Sequence, residues 1–442
     1  MDSHTNVHTV TQSAPVTTPP SMEGHFSRPA HFLTGWLRDF SWLTSQRVGF
    51  YSGVLLLAYL VAAIGQLLHS HNLIFESGLC VGGDFVDSYA ASISALKGAP
   101  ASVYDVHRQH IQMAAVMGGR DFGVLVFSYP PTYLLMVLPL SLLPFILSWV
   151  AFETATLAGY LVVLRRIAPI PLGFWLAITF PAVIINFMCG QNGFLTTALI
   201  GGGLLLLDQW PLLAGFLFGL MAYKPHLAIL IPLALIVAHK WRALIASAIG
   251  ATVFAAASLA AFGPSTWHAF FGNFAITQKI VLDQGGIQFP TLQSIFGAVR
   301  MWGGSIELAY MFQILVAMYA AAAVVWVWRS ERDFALKAAT LTAGCLMVSP
   351  YLLQYDLVLL ALPIAWLAMM GFGQGFLPYE KAVLAVSWIL PRISLPIAVT
   401  AKIPIAPIAI MVLMTAILRR SNRRESVASP RPFDLARAGT PA

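Results

Sequence analysis

Residues 190–236 read GQNGFLTTALIGGGLLLLDQWPLLAGFLFGLMAYKPHLAILIPLALI. Apolar runs at about 193–207, 211–223 and 226–238 are separated by short turns that hold the two charged residues of the stretch, Asp208 and Lys224. Similar runs recur along nearly the whole chain. The first is Val48–His69, and others lie at about 126–146, 147–164, 171–188, 243–262, 306–328, 335–348, 352–370, 378–395 and 404–418. A bilayer core about 30 Å thick takes about 20 apolar residues in a helix. The pattern therefore predicts an all-α polytopic membrane protein.

Composition agrees. Of 442 residues, 58% are hydrophobic and 10% charged, against roughly 25% charged in a soluble domain; the mean hydropathy is +0.76. No room remains for a separate soluble domain. The 25 Lys and Arg against 18 Asp and Glu would suggest nucleic acid in a soluble protein, but here the basic residues cluster in short loops and tails, which is a topology signal. No nucleic-acid partner is expected. Residues 1–47 read as a tail and lead-in, Ser/Thr/Pro/His-rich and disordered over 1–30, and 419–442 as a disordered basic tail. The long polar segment before the first run does not resemble a cleavable signal. Cys80, Cys189 and Cys345 lack metal-ligand spacing, so neither a metal cluster nor a disulfide framework is expected.

The loops fall into two kinds. Arg165-Arg166, His239–Arg242, Arg329–Arg332 and Arg419–Arg424 are basic, and the positive-inside rule places them in the cytoplasm with Arg38 and Arg47. The others carry motifs: GGDFVDSY after the first run, GQNG at 190–193, YKPH at 223–226, a long loop at about 263–303, and SPYLLQYD at 349–356. Alternation gathers these motifs on the outer face. Parity requires an odd number of crossings between Asp84 and Arg165. Segment 126–146, with Pro130, Pro131, Pro139 and Pro144, is therefore expected not to span fully, leaving about twelve spans with both termini inside.

The first outer loop, 69–125, contains a short amphipathic pattern, Tyr89, Ile93 and Leu96. This predicts a helix along the membrane surface, with Asp87 as its cap. Asp84 follows Gly82-Gly83 and has no such capping role, which makes it the candidate for chemistry. Lys224 is either an interfacial snorkeller or a cation for a lipid-linked phosphate. Asp356, inside an apolar run, is a functional candidate because an unpaired carboxylate there costs roughly 3 kcal/mol. Glu153 fits either a function or a helix contact. Gln191 and Asn192 suit sugar hydroxyls or helix packing equally. Trp267, His268, Lys279, Asp283, Gln288, Gln293 and Arg300 give the long loop a lining suited to carbohydrate or lipid head groups. There is no P-loop, dinucleotide fingerprint, HExxH or GxSxG.

The order of DFVDSYAASISALKGAPASVYD (84–105), FSYPPTYLLMVLPLSLLPF (127–145), the 190–236 stretch, LQSIFGAVR (292–300) and SPYLLQYDLVLLALP (349–363) resembles glycosyltransferase family 87 of the GT-C superfamily. The resemblance implies a GT-C fold and transfer of a sugar, mannose by best analogy, from a polyprenyl phosphate to a lipid or glycan acceptor. The setting would be the outer, periplasmic face of a bacterial cytoplasmic membrane. By position, Asp84 becomes the catalytic base of an inverting displacement. Lys224, Arg108 and Arg300 become candidates for the donor phosphate, and Gln191, Asn192, His226, Tyr129, Gln288, Gln354, Tyr355 and Asp356 for the sugar or acceptor. No cofactor is implied, and metal dependence stays open. Some relatives carry two histidines where this chain has Tyr355 and Asp356. A lipid-linked sugar transporter or flippase needs similar spans, but the internal repeats of many transporters are not evident here. A non-catalytic member of the same fold is the third reading.

Overall fold

The computed structural model describes residue 1 and residues 38–423, apart from 71–72, 76–77, 79, 121–122, 124 and 279–287. The tail expected at 1–30, the residues after 423, and Lys279 and Asp283 lie outside the described residues.

The described residues form helices joined by short turns, with two isolated β-bridges. In chain order the helices are α1 (Ser45–Leu68), α2 (Phe85–Leu96), α3 (Val106–Val116), α4 (Pro131–Val137), α5 (Phe145–Ile167), α6 (Pro171–Thr179) and α7 (Pro181–Cys189). There follow α8 (Gly193–Leu206), α9 (Pro211–Leu220), α10 (Leu230–Val237), α11 (Trp241–Gln278), α12 (Ile295–Met301) and α13 (Ile306–Trp328). The last are α14 (Phe334–Val348), α15 (Ala361–Gln374), α16 (Glu380–Ala401) and α17 (Ile405–Ser421). Helices α4, α6, α7 and α9 each open on proline, whose fixed φ suits a first helical residue and whose missing N–H costs nothing there.

Among the described residues, seven helical segments are long and apolar enough to cross a bilayer: Ser45–Leu68, Phe145–Ile167, Pro171–Cys189, Trp241–Phe274, Ile306–Trp328, Gln354–Gln374 and Glu380–Ala401. Five apolar helices are shorter. One is Pro131–Leu142, where the proline-rich segment makes only the seven-residue α4 and a 3-10 turn. The chain is an all-α multi-pass membrane protein.

Close packing explains the glycines of the 190–236 stretch. In GFLFG (215–219) the two glycines face α11, and a Cβ on Gly219 would meet the Ser247 carbonyl oxygen at 2.7 Å. The i, i+4 pair lets two backbones meet without side chains between them. The main core lies beyond this contact, around Tyr160, Phe194, Leu346 and Leu362.

Two ends of the bundle differ. At one, basic segments interlock: Arg420 holds Glu380 with Nε to Oε1 at 2.7 Å, Arg332 Nε donates to the Ser421 carbonyl at 2.7 Å, and Tyr379 N donates to the Arg38 carbonyl at 2.6 Å. The expectation of a disordered tail from residue 419 is corrected here. Helix α17 runs to Ser421, and Arg420 is buried against Glu380, Gln374 and Gly375, because a planar guanidinium can satisfy a carboxylate, an amide and a carbonyl together.

The other end carries the motifs. Among its described residues, the loop expected at 263–303 is largely helical. Trp267 and His268 sit on α11 beyond a break at Gly263 (φ 76°) and Pro264, and α12 occupies 295–301. The expected cap is also corrected. Helix α2 begins at Phe85, with Asp84 at the N-cap position making no side-chain cap bond, and Asp87 lies inside the first turn. Gly82 and Gly83 (φ 83° and 52°) turn the chain early enough to start the helix three residues sooner. Nor does α2 present one apolar stripe: Phe85, Val86, Tyr89, Ala90 and Ala91 are all buried, while Leu96 is exposed.

The Gly83 turn is tied to the end of α7. Asp84 N donates to the Cys189 carbonyl at 2.8 Å, and a Cβ on Gly83 would come within 2.5 Å of that oxygen. Gly83→Ala should lower the apparent Tm of the detergent-solubilised protein by the equivalent of about 1–3 kcal/mol. Gly98→Ala, also at positive φ but facing open space, should lower it less.

Candidate active site

The GQNG turn, 190–193, is the centre of the motif end. Gly190 adopts the left-handed conformation (φ 61°) that closes α7, and Gly193 starts α8. Asn186, one turn back on α7, clasps this connection: its Nδ2 donates to the Gln191 carbonyl at 2.8 Å, and its Oδ1 accepts from Gly193 N at 3.0 Å. Glu153 on α5 supports Asn186 from below, Oε2 accepting from the same Nδ2 at 3.1 Å. The intramembrane glutamate is thus a helix contact beneath the turn.

Two side chains leave the turn in different directions. Gln191 Nε2 donates to Asp84 Oδ2 at 2.6 Å, and Gln191 Oε1 accepts from the Tyr129 hydroxyl at 3.1 Å. Asn192 Oδ1 accepts from Lys224 Nζ at 2.8 Å. Lys224 in turn pairs with Asp356 Oδ1 at 2.5 Å, and Asp356 Oδ2 accepts from Leu353 N at 3.1 Å. Lys224 and Asp356 are 3% and 2% exposed, so neither charge faces water without a partner. The Tyr355 ring lies 5.4 Å from Lys224 Nζ.

An ammonium has three N–H groups; two meet Asn192 and Asp356. Asn192 Nδ2 is fully buried and has no hydrogen-bond partner among the described groups. Asp84, Tyr129, Tyr351 and His226 stay partly exposed around these groups, and His226 meets the Tyr351 ring edge-on at 6.1 Å.

The two aspartates of the first loop differ in surroundings. Burial raises the Asp84 carboxyl above the ordinary carboxylate range, and the Gln191 bond pulls it partway back. Asp87 is raised to about 7, chiefly by burial; the bond from Gln109 lowers it and the charge of Asp84 raises it. Its Oδ1 accepts from Gln109 Nε2 of α3 at 2.7 Å.

Of the residues singled out from sequence, Asp84, Tyr129, Gln191, Asn192, Lys224, His226, Tyr355 and Asp356 come together. Four do not. Arg108 is exposed on α3 and pairs with Asp105 at 3.6 Å. Arg300, at the end of α12, donates to the Gly304 carbonyl at 2.7 Å and stacks over Phe289. Gln288 is exposed ahead of α12, and the Gln354 amide donates to the Pro391 carbonyl at 2.6 Å. Asn186 and Gln109 emerge only from the structure. The signal that could have found Asn186 is that it is the lone amide in the apolar run PAVIINFMC.

The profile of glycosyltransferase family 87 matches residues 127–350, just over half of the chain. The chain belongs to that family and is a membrane glycosyltransferase. No curated protein and no solved structure matches the chain. The matched residues include Tyr129, Gln191, Asn192 and Lys224; Asp84 and Asp356 lie outside them.

Two measurements check this electrostatic arrangement. Removing one member of a buried ion pair strands the other charge, at a cost of about 3–5 kcal/mol. Lys224→Met and Asp356→Leu should each lower thermal stability sharply, and the double variant should recover most of the loss. Asp87 is protonated in the folded state at pH values where it would be ionised in the unfolded chain, so its contribution is fully present below about pH 4 and is lost as pH rises through about 7. Asp87→Asn should flatten that part of the stability-against-pH curve.

Proposed function

We propose that the protein transfers a sugar, mannose being the preferred one, from a polyprenyl phosphate to a hydroxyl of a lipid or glycan acceptor. The work would be done at the outer face of a bacterial cytoplasmic membrane. The observation that carries this reading is the pairing made by the GQNG turn: Gln191 holds Asp84, a partly exposed carboxylate, and the next residue holds the buried ammonium of Lys224. Family membership supplies the reaction class.

Asp84 is the general base in this reading. It accepts the proton of the acceptor hydroxyl as the oxygen attacks the anomeric carbon, the bond from that carbon to the phosphate oxygen breaks, and the configuration inverts. Polyprenyl phosphate departs with the bonding pair. Among the described residues, Lys224 is a cation held within this network, and its third N–H is the donor assigned to the phosphate. Charge developing on that oxygen is stabilised by a donor already in place. Arg108 and Arg300 are assigned no part, because each is committed elsewhere. Asn192 Nδ2 and His226 are the groups assigned to sugar or acceptor hydroxyls.

Topology follows the same logic. Basic segments interlock at one end of the bundle and the motifs gather at the other, so the positive-inside rule puts the site outside. Twelve spans result if Gly193–Leu206, Pro211–Tyr223, Pro225–Val237, Phe334–Val348 and Ile405–Ser421 are added to the seven long ones.

The decisive assay uses the purified protein in detergent with radiolabelled polyprenyl-phosphate mannose and a membrane-lipid extract as acceptor. Asp84→Asn should reduce transfer by at least 100-fold without changing the apparent Tm. Because the base must be ionised, wild-type kcat/KM should rise with pH through a value above the ordinary carboxylate range. Near-normal transfer by Asp84→Asn would exclude Asp84 as the base, and movement of intact donor across vesicles without transfer would favour a flippase.

A further inference from the structure

Sequence reading placed Gln191 among groups that could bind sugar, yet both ends of its amide are taken by protein. The residue is 7% exposed. Its acceptor end receives the Tyr129 hydroxyl, and its donor end meets Asp84. A primary amide is ambiguous about which end is which until a neighbour decides. Here the Asp84 carboxylate, which only accepts when ionised, takes Nε2, and the Tyr129 hydroxyl donates to Oε1 and holds the amide in that direction. Were the amide reversed, its oxygen would face a carboxylate and its N–H₂ would face the phenol.

We infer that Gln191 is a positioning residue for Asp84, and that Tyr129 braces the direction of its amide. Gln191 does not touch the reacting atoms in this assignment. It fixes the carboxylate Oδ2, leaving Oδ1 as the oxygen available to a hydroxyl, and it favours the ionised form of Asp84 by donating to it. Backbone geometry supports the role. The Gln191 carbonyl is held by Asn186, and the Asp84 amide by the Cys189 carbonyl, so both residues are fixed to one stretch of α7. Tyr129 packs at 4.2 Å centroid separation on Tyr133 and at 5.9 Å on Phe127, which restricts its ring. The other titratable groups close enough to Asp84 to sense its charge are Cys80, Asp87, Cys189, Tyr351 and Tyr355. None of these is cationic, so Gln191 is the group that counteracts burial.

The role rests on the assignment of Asp84 as base, but its test need not. Dicyclohexylcarbodiimide adds to a protonated carboxyl and leaves a stable N-acylurea, so labelling of Asp84 in the full-length protein, read by peptide mass spectrometry across pH, reports when the carboxyl ionises. In Gln191→Leu, labelling of Asp84 should persist to higher pH than in the wild type. In Tyr129→Phe, which keeps the ring packing and removes the donor, the curve should move in the same direction by less. A monodisperse gel-filtration peak is the reference for an intact fold, because Asp87 itself senses the Asp84 charge. In the transfer assay, Gln191→Leu should lower kcat about 10- to 100-fold, leave KM within about twofold, and move the acid limb of the pH profile upward.

Superimposable Asp84 labelling curves for wild type, Gln191→Leu and Tyr129→Phe would overturn the inference, as would an activity loss in Gln191→Leu that is equal at every pH. Should Gln191→Leu fail to fold, the Tyr129→Phe curve decides. If Asp84→Asn keeps its activity while the labelling curves shift, the base assignment fails and the positioning contact stands.

Discussion

A carboxylate enters an apolar helical bundle only when hydrogen-bond donors come with it, and four residues at the α7–α8 junction organise that supply. The GQNG turn gives Gln191 to Asp84 and Asn192 to Lys224, and Lys224 satisfies Asp356. Asn186 holds the turn's own backbone and rests on Glu153. Groups distant in sequence, at 84, 129, 153, 224 and 356, are therefore connected through one junction. Desolvation makes this arrangement demanding, since each polar atom at that depth has protein partners or none.

Most of the architecture was legible in the chain because membrane solvent imposes simple rules. Long apolar runs give helices, prolines mark their first residues, and the motif-bearing turns mark where helices end. The proline-rich segment after Val126 was read as an incomplete span for a physical reason, and it makes a short broken helix. Where the reading failed, tertiary contacts had outweighed local pattern. Asp87 had the spacing of a cap, but the Gly82-Gly83 turn packs against Cys189 and starts the helix early. The loop after Phe262 looked irregular because Gly263 and Pro264 break a helix, and the helix then resumes. Arg420 resembled the start of a basic tail because its partner, Glu380, is forty residues away.

The candidate site was legible as residues of suitable chemistry, eight of which cluster, and less so as a set of contacts. Lys224 and Asp356 each stood out as a costly charge in an apolar setting, and the structure gives the cost one answer by joining them. Gln191 and Asn192 are chemically similar and adjacent, yet their side chains serve opposite charges; no spacing rule separates them. Arg108 and Arg300 were plausible from charge alone, and each is committed to a neighbour within a few residues.

The pairing of Lys224 with Asp356 has a consequence for turnover. A lysine already neutralised by a carboxylate attracts an incoming anion weakly, and it also retains a departing one weakly. Under the proposed reaction the product phosphate is a dianion near its second ionisation, leaving a site whose remaining carboxylates repel it. A more exposed, unpaired cation would bind the donor more tightly and hold the spent carrier as well. Under that reaction, by giving up ground-state attraction, the ion pair would favour release of the lipid carrier and keep the site open for the next donor.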